Sequence, residues 1–132
     1  RILILTGGEP AMYNLTDITQ AVKHEGFRVH IETSGAYELI GDFDWVTFSP
    51  KKFKAPIASV ASQADELKIV VFNKSDIAWA EKHQKMVPVS CKLYLQPEWD
   101  KRELSEKIIF NYVLQNPNWF ISIQTHKYLG VE

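Results

Sequence analysis

Polar segments that directly follow apolar, β-branched runs carry the residue types able to bind a ligand. They are Thr6-Gly7-Gly8-Glu9-Pro10, Glu32-Thr33-Ser34-Gly35, Ser49-Pro50-Lys51, Gln96-Pro97 and Gln124-Thr125-His126-Lys127. The first is the sharpest. Two glycines after a buried strand permit close backbone approach and turn N–H and C=O groups toward a polar ligand. Glu9 adds an acceptor suited to a cationic amine, and Pro10 fixes the turn. The same residues also make a plain structural strand–helix turn. They do not make a P-loop, because no Gly-Lys-Ser/Thr follows, nor a dinucleotide fingerprint, which needs a third glycine.

Other residue types argue less. His24, His30 and His83 show no metal-ligand spacing and read as structural or surface groups. The single cysteine, Cys91, excludes an internal disulfide and fits a reducing cytoplasm. It reads as a small buried hydrophobe. Lys52 and Lys54 read as a solvated surface turn. Lys68 lies within an apolar strand, where it either reaches the interior or pairs with Glu66, and the two alternatives stay open. No set of residues qualifies as a metal site.

Elements must hold these segments on one rim. Apolar runs at Arg1–Leu5, Phe27–Ile31, Trp45–Phe48, Leu67–Phe72, Lys92–Leu95 and Trp119–Ile123 predict six strands. Between them lie helical patterns: one from Asn14 or Thr16 to Gly26, one capped by Ser75 and stopped by Pro88, and one from about Lys101 to Gln115. Residues 51–65 predict a loop with one short helix. Alternating β and α at this spacing predicts an α/β fold with a parallel sheet. In such folds ligands bind beyond the carboxyl ends of the strands, where the polar segments fall.

The 132 residues suit one domain spanning 1–132, and 45% hydrophobic with 23% charged residues is ordinary for a globular chain. A net charge of −1 gives no global case for nucleic acid or an anionic membrane as partner. No apolar run approaches the length of a transmembrane helix. The opening run Ile2–Leu5 reads as a strand buried on both faces, with neighbours on both sides. The expectation is that a segment upstream of Arg1 is missing; a domain boundary at Arg1 is the alternative.

Leu5-Thr6-Gly7-Gly8-Glu9-Pro10 is similar to the GGEP motif of radical S-adenosylmethionine enzymes. Within that group, Ile31-Glu32-Thr33-Ser34-Gly35, Phe48-Ser49-Pro50-Lys51, Asp65-Glu66-Leu67-Lys68, Leu95-Gln96-Pro97 and Gln124-Thr125-His126-Lys127-Tyr128-Leu129-Gly130 resemble, in order, the 7-carboxy-7-deazaguanine synthase family. The resemblance spans nearly the whole chain. It implies a partial (β/α)6-type barrel, with the first βα unit missing or incomplete.

The resemblance also implies an activity. A radical-mediated ring contraction would convert 6-carboxy-5,6,7,8-tetrahydropterin to 7-carboxy-7-deazaguanine with loss of ammonia, on the route to queuosine. The implied cofactors are S-adenosylmethionine, a 4Fe-4S cluster and Mg2+; the implied partners are the pterin substrate, an electron donor such as flavodoxin and a second copy in a homodimer. Thr6, Gly7, Gly8, Glu9, Ser49, Lys51 and Gln96 would meet the cofactor, and Glu32, Thr33, Gln124 and His126 the substrate. The family's CxxxCxxC motif lies upstream of the GGEP strand and has no counterpart in this sequence. The fragment alone is therefore expected to be inactive. Two further readings stand beside this one: another radical S-adenosylmethionine enzyme, such as a glycyl-radical activator, and a non-catalytic α/β binding module.

Overall fold

A computed structural model describes residues 1–131. Strands β1 (Ile2–Leu5), β2 (Arg28–Thr33), β3 (Trp45–Phe48), β4 (Glu66–Val71), β5 (Lys92–Pro97) and β6 (Trp119–Ile121) form one sheet. Every pairing is parallel, and the order is β1-β2-β3-β4-β5-β6. Helices α1 (Thr16–His24), α2 (Ala58–Ala61), α3 (Ser75–Gln84), α4 (Arg102–Gln115) and α5 (Thr125–Leu129) and a 3-10 turn at Pro10–Met12 fill the connections. Each crossover advances to the adjacent strand without reversal. Right-handed crossovers then put the connecting helices on one face, as in a segment of a barrel. This is the parallel α/β sheet that the alternation of elements predicts, in the partial-barrel arrangement that the resemblance implies.

Burial alternates along the central strands with period two. Phe48, Leu67, Ile69, Val71 and Leu95 are buried on the helix side and pack with Ala61, Ala80, Ile109 and Trp119, while Ile31 packs with Ala11 and Val46 in a second cluster. Burying each large aliphatic side chain here contributes about 1.5–3 kcal/mol. The opposite face carries His30, Glu32, Thr47, Glu66, Lys68, Tyr94 and Gln96, all half-buried. Cys91 is buried, and burial pushes its thiol up to about 11. His83 is buried against the Trp79 ring, its centroid 4.1 Å away, and burial pushes its pKa down.

The structure revises several sequence expectations. Among the described residues β1 pairs with β2 alone, so the two-sided burial read from its apolar run is not met within them, and Ile2 and Ile4 are 53% and 59% exposed. Leu3 and Leu5, opposite Val29 and Ile31, are the half-buried members of that run. Strand β2 runs on through Glu32 to Thr33, and β5 through Gln96 to Pro97, because ladder pairing continues past the apolar residues. Strand β6 stops at Ile121, and α5 is a helix that hydrophobic periodicity missed. Ser75 does not cap its helix. Asn73 Oδ1 accepts the Ser75 N–H at 2.9 Å, and Asp76 Oδ2 accepts those of Phe72 and Asn73 at 2.7 and 3.0 Å.

One close approach fixes the loop after β2. Gly35 has φ +76°, and a Cβ there would sit 2.6 Å from Cε2 of the buried Phe48 ring. Gly35→Ala is therefore expected to cost about 1–3 kcal/mol through overpacking and left-handed strain. Thermal denaturation should show a lower Tm, and the penalty should shrink in a Phe48→Leu background.

Candidate functional site

The C-terminal ends of the strands carry the rim. After β1, Gly7 and Gly8 take φ values of +83° and +56°, a left-handed pair that side chains rarely adopt. A Cβ at either would meet nothing within 4 Å, so open space lies above this turn. Glu9 then caps the 3-10 turn. Its Oε1 accepts from Thr33 Oγ1 at 2.6 Å and Ala11 N at 3.2 Å. Its Oε2 accepts from Ser34 N at 2.8 Å and from Ser34 Oγ. Four donors fill the acceptor capacity of a carboxylate. Burial opposes ionisation of Glu9, yet the bonds from Ser34, Thr33 and Ala11 outweigh it and hold the carboxyl below its usual range. Glu9 thus ties the glycine turn to the end of β2.

The next strands supply the walls. Glu32 and Thr33 end β2 on opposite faces: Thr33 is buried toward the helices, with its hydroxyl engaged by Glu9 and by the Gly35 N–H at 3.1 Å. Glu32 projects to the other face, where its Oε1 pairs with Lys68 Nζ at 2.6 Å. Ser49 is buried just past β3, its N–H donating to the Thr33 carbonyl at 2.8 Å. Lys51 Nζ lies 3.4 Å from Ser49 Oγ, at the start of a tight turn closed by a bridge between Lys51 and Lys54.

The neighbouring lysines are exposed, as the sequence reading expects, yet each has a partner. Lys52 is ion-paired with Asp76, which has no exposed side-chain surface, and Lys54 Nζ sits 3.6 Å from the centroid of the Tyr37 ring. The buried carboxylate and the aromatic face each attract an ammonium, which surface statistics do not register. These contacts pin the turn that presents Lys51. Lys68, left open between the interior and Glu66, faces the interior and pairs with Glu32.

Two adjoining cavities open on this rim. One, of about 360 Å³, is lined by Thr6, Gly7, Gly8, Glu9, Thr33 and Ser34, with Met12, Tyr37 and Phe53 on its outer wall. The other, of about 410 Å³, is lined by Lys68, Val70, Gln96, Gln124 and His126. Glu32, Ser49 and Lys51 line both, so the two form a continuous groove. Each residue that the resemblance assigns to cofactor or substrate lines this groove. Gln124 and His126 do so because α5 is held against α4, with Tyr128 O–H donating to Glu106 at 2.5 Å and the Tyr128 ring edge-on to Trp99.

Met12, Tyr37, Phe53 and Asp76 carry no sequence signal, since their roles depend on loops meeting. Lys68 carried one, a charge at an inward position of an otherwise apolar strand. Among the described residues no group of three His, Cys, Asp or Glu side chains comes together as a metal site. Nor is any described helix long and apolar enough to cross a membrane.

No family model matches the chain. Individual proteins do. The chain is 46% identical over 129 residues to a 7-carboxy-7-deazaguanine synthase of Synechocystis sp., covering 98% of the chain and 62% of that protein. It is 45% identical over 131 residues to the protein of that name from Flavobacterium psychrophilum, covering 99% and 62%. With that of Prochlorococcus marinus it shares 35% identity over 153 residues, covering 98% and 68%. The crystal structure of QueE from Escherichia coli superposes with a TM-score of 0.81 at 27% identity, over 94% of this chain and 56% of that one. The chain thus spans about three-fifths of the length of these relatives.

The Glu9 hub makes a stability prediction. Glu9→Gln turns an amide N–H2 toward donors that now meet an oxygen, and is expected to cost about 1–3 kcal/mol. The folded carboxyl lies below its usual range, so its contribution is present in full above about pH 5 and is lost as pH falls through the lowered value. Stability-versus-pH curves should show a shallower acid limb for Glu9→Gln than for the parent.

Proposed function

The chain belongs to the 7-carboxy-7-deazaguanine synthase family, and on that premise we propose that its groove holds S-adenosylmethionine in one cavity and a carboxylated tetrahydropterin in the other. The observation that carries this reading is the pair of adjoining cavities sharing Glu32, Ser49 and Lys51. The reaction proposed for the whole protein is ring contraction of 6-carboxy-5,6,7,8-tetrahydropterin to 7-carboxy-7-deazaguanine with loss of ammonia, in queuosine biosynthesis.

The residues present fit the cofactor's methionyl end. The Thr6-Gly7-Gly8 turn offers backbone groups to an amino-acid moiety across open space, while Glu9 holds that turn in shape. Lys51 supplies a cation beside the buried Ser49 hydroxyl, and Gln96 an amide for the adenosyl group or the substrate. When bound, S-adenosylmethionine supplies the radical hydrogen-abstraction chemistry, and the protein's task is orientation and exclusion of side reactions.

Glu32 accepts from the paired N–H donors of the pterin edge, with Thr33 fixing the strand end behind it. Gln124 and His126 offer donors to the substrate carboxylate from the far wall. Resting the substrate between these walls sets which hydrogen of its reduced ring faces the cofactor cavity.

The residues present do not fit a 4Fe-4S cluster. The lone thiol, Cys91, is buried just before β5, at the end of the strands opposite the groove. Ligands for a cluster would come from outside this chain. A magnesium ion takes one or two carboxylates plus substrate oxygens. Here Glu9 is saturated by protein donors and Glu32 is paired with Lys68, so neither carboxylate fits that role. A flavodoxin-like electron donor, a homodimeric assembly and a cytoplasmic location complete the proposal, on the strength of family membership.

The site assignment is tested by separate titrations of the natural polypeptide that carries this sequence. Lys51→Ala is expected to weaken S-adenosylmethionine binding and Glu32→Gln to weaken pterin binding, each by about 10- to 150-fold for a lost charge-assisted hydrogen bond. Equal damage to both affinities by both variants refutes the division of roles. A protein limited to these residues should take up no cluster on anaerobic reconstitution with iron and sulfide, read by absorbance; stoichiometric incorporation contradicts the account of Cys91.

A further inference from the structure

Lys68 is a charged residue of the groove outside those assigned to cofactor and substrate. On β4 it lies between Leu67 and Ile69, both buried on the helix side, so it projects to the opposite face. There it lines the cavity that also holds Gln96, Gln124 and His126. Its Nζ lies 2.6 Å from Glu32 Oε1, with the two side chains 17% and 33% exposed. The pair reaches across β3, where Glu32 is level with Thr47 and Thr47 with Glu66.

Glu66 faces the same side as Lys68, two residues earlier on β4. Burial is the main cause that pushes its carboxyl up; Glu32 adds to the rise, while Lys68 and Lys92 oppose it. Lys68 is therefore the cation between two carboxylates on a half-buried face. Removing it leaves Glu32 without its counter-charge and facing another acid.

We propose that Lys68 is a positioning residue for the substrate: its ammonium grips one oxygen of Glu32, leaving the other turned to the cavity as the acceptor for the pterin edge. This rests on the reading that Glu32 binds the pterin. A free glutamate has several rotatable bonds to order on binding, and holding it beforehand removes that cost. A hydrogen bond to a carboxylate is also stronger than one to a neutral acceptor. Lys68 thus acts through Glu32.

The test uses the natural polypeptide that carries this sequence, titrated with oxidised 6-carboxypterin as the probe and with S-adenosylmethionine in parallel. Lys68→Met is expected to weaken pterin binding by about 10-fold or more, as for a lost charge-assisted contact. Affinity for S-adenosylmethionine should hold within about twofold, and Lys68→Arg, which keeps the charge, should restore most of the loss. In a Glu32→Gln background, Lys68→Met should add less than about twofold, because both changes remove one coupled element.

If Lys68→Met leaves pterin binding intact while Glu32→Gln impairs it, the proposal for Lys68 is overturned and the Glu32 reading survives. Additive effects of the two changes also overturn it. An unaffected Glu32→Gln variant instead removes the Glu32 reading, and with it this proposal. Should Lys68→Met fail to fold in a thermal melt, Lys68→Gln, which retains a donor without the charge, carries the same expectation.

Discussion

A parallel strand must be followed by a connection that returns the chain to its starting end before the next strand can pair. In this protein each return moves on to the adjacent strand in one direction. With right-handed crossovers, that single constraint places the connecting helices on one face of the sheet. The helix-covered face is then free to be apolar, and the other to carry charge. Period-two burial along β2 to β5 is the direct result. Every strand also ends at the same rim, where loops of different chemistry meet.

Placing loops on one rim does not by itself fix their shape. The Glu9 carboxylate does so for the first two, accepting from its own turn and from Thr33 and Ser34 beyond β2. Asp76 does the equivalent on the other side. It accepts the N–H groups of Phe72 and Asn73 and pairs with Lys52, so the turn carrying Lys51 is anchored to the start of α3. In both cases a carboxylate away from bulk water is kept ionised by several donors, although burial works against it. Such multiply bonded acids hold a rim rigid, and rigidity is what a site for two ligands in fixed relation requires.

The inner face shows the complementary arrangement. Glu32, Lys68 and Glu66 lie close on neighbouring strands, with opposite charges in contact and the like charges separated by β3. Their partial exposure keeps the desolvation cost below that of a fully buried pair. The same exposure leaves polar atoms facing the cavity, so a network that stabilises the sheet also presents binding groups.

The sequence by itself determined the fold class, the strand sequence, the helix α4 and the identity of the rim segments. These are set by local chemistry: apolar period, glycine and proline punctuation, and polar residues at strand ends. It could not determine that Thr33 and Glu9 turn their polar atoms on each other, because that needs two loops to meet. Nor could it place Lys52 on Asp76, Lys54 on Tyr37 or Lys68 on Glu32, pairs lying 24, 17 and 36 residues apart by their numbers. Strand ends were misjudged for a related reason: Glu32 and Gln96 keep the backbone in the ladder while breaking the apolar pattern. Hydrophobic periodicity reports which side chains leave water, whereas ion pairs and ladder ends depend on which segments become neighbours, and only the tertiary structure decides that.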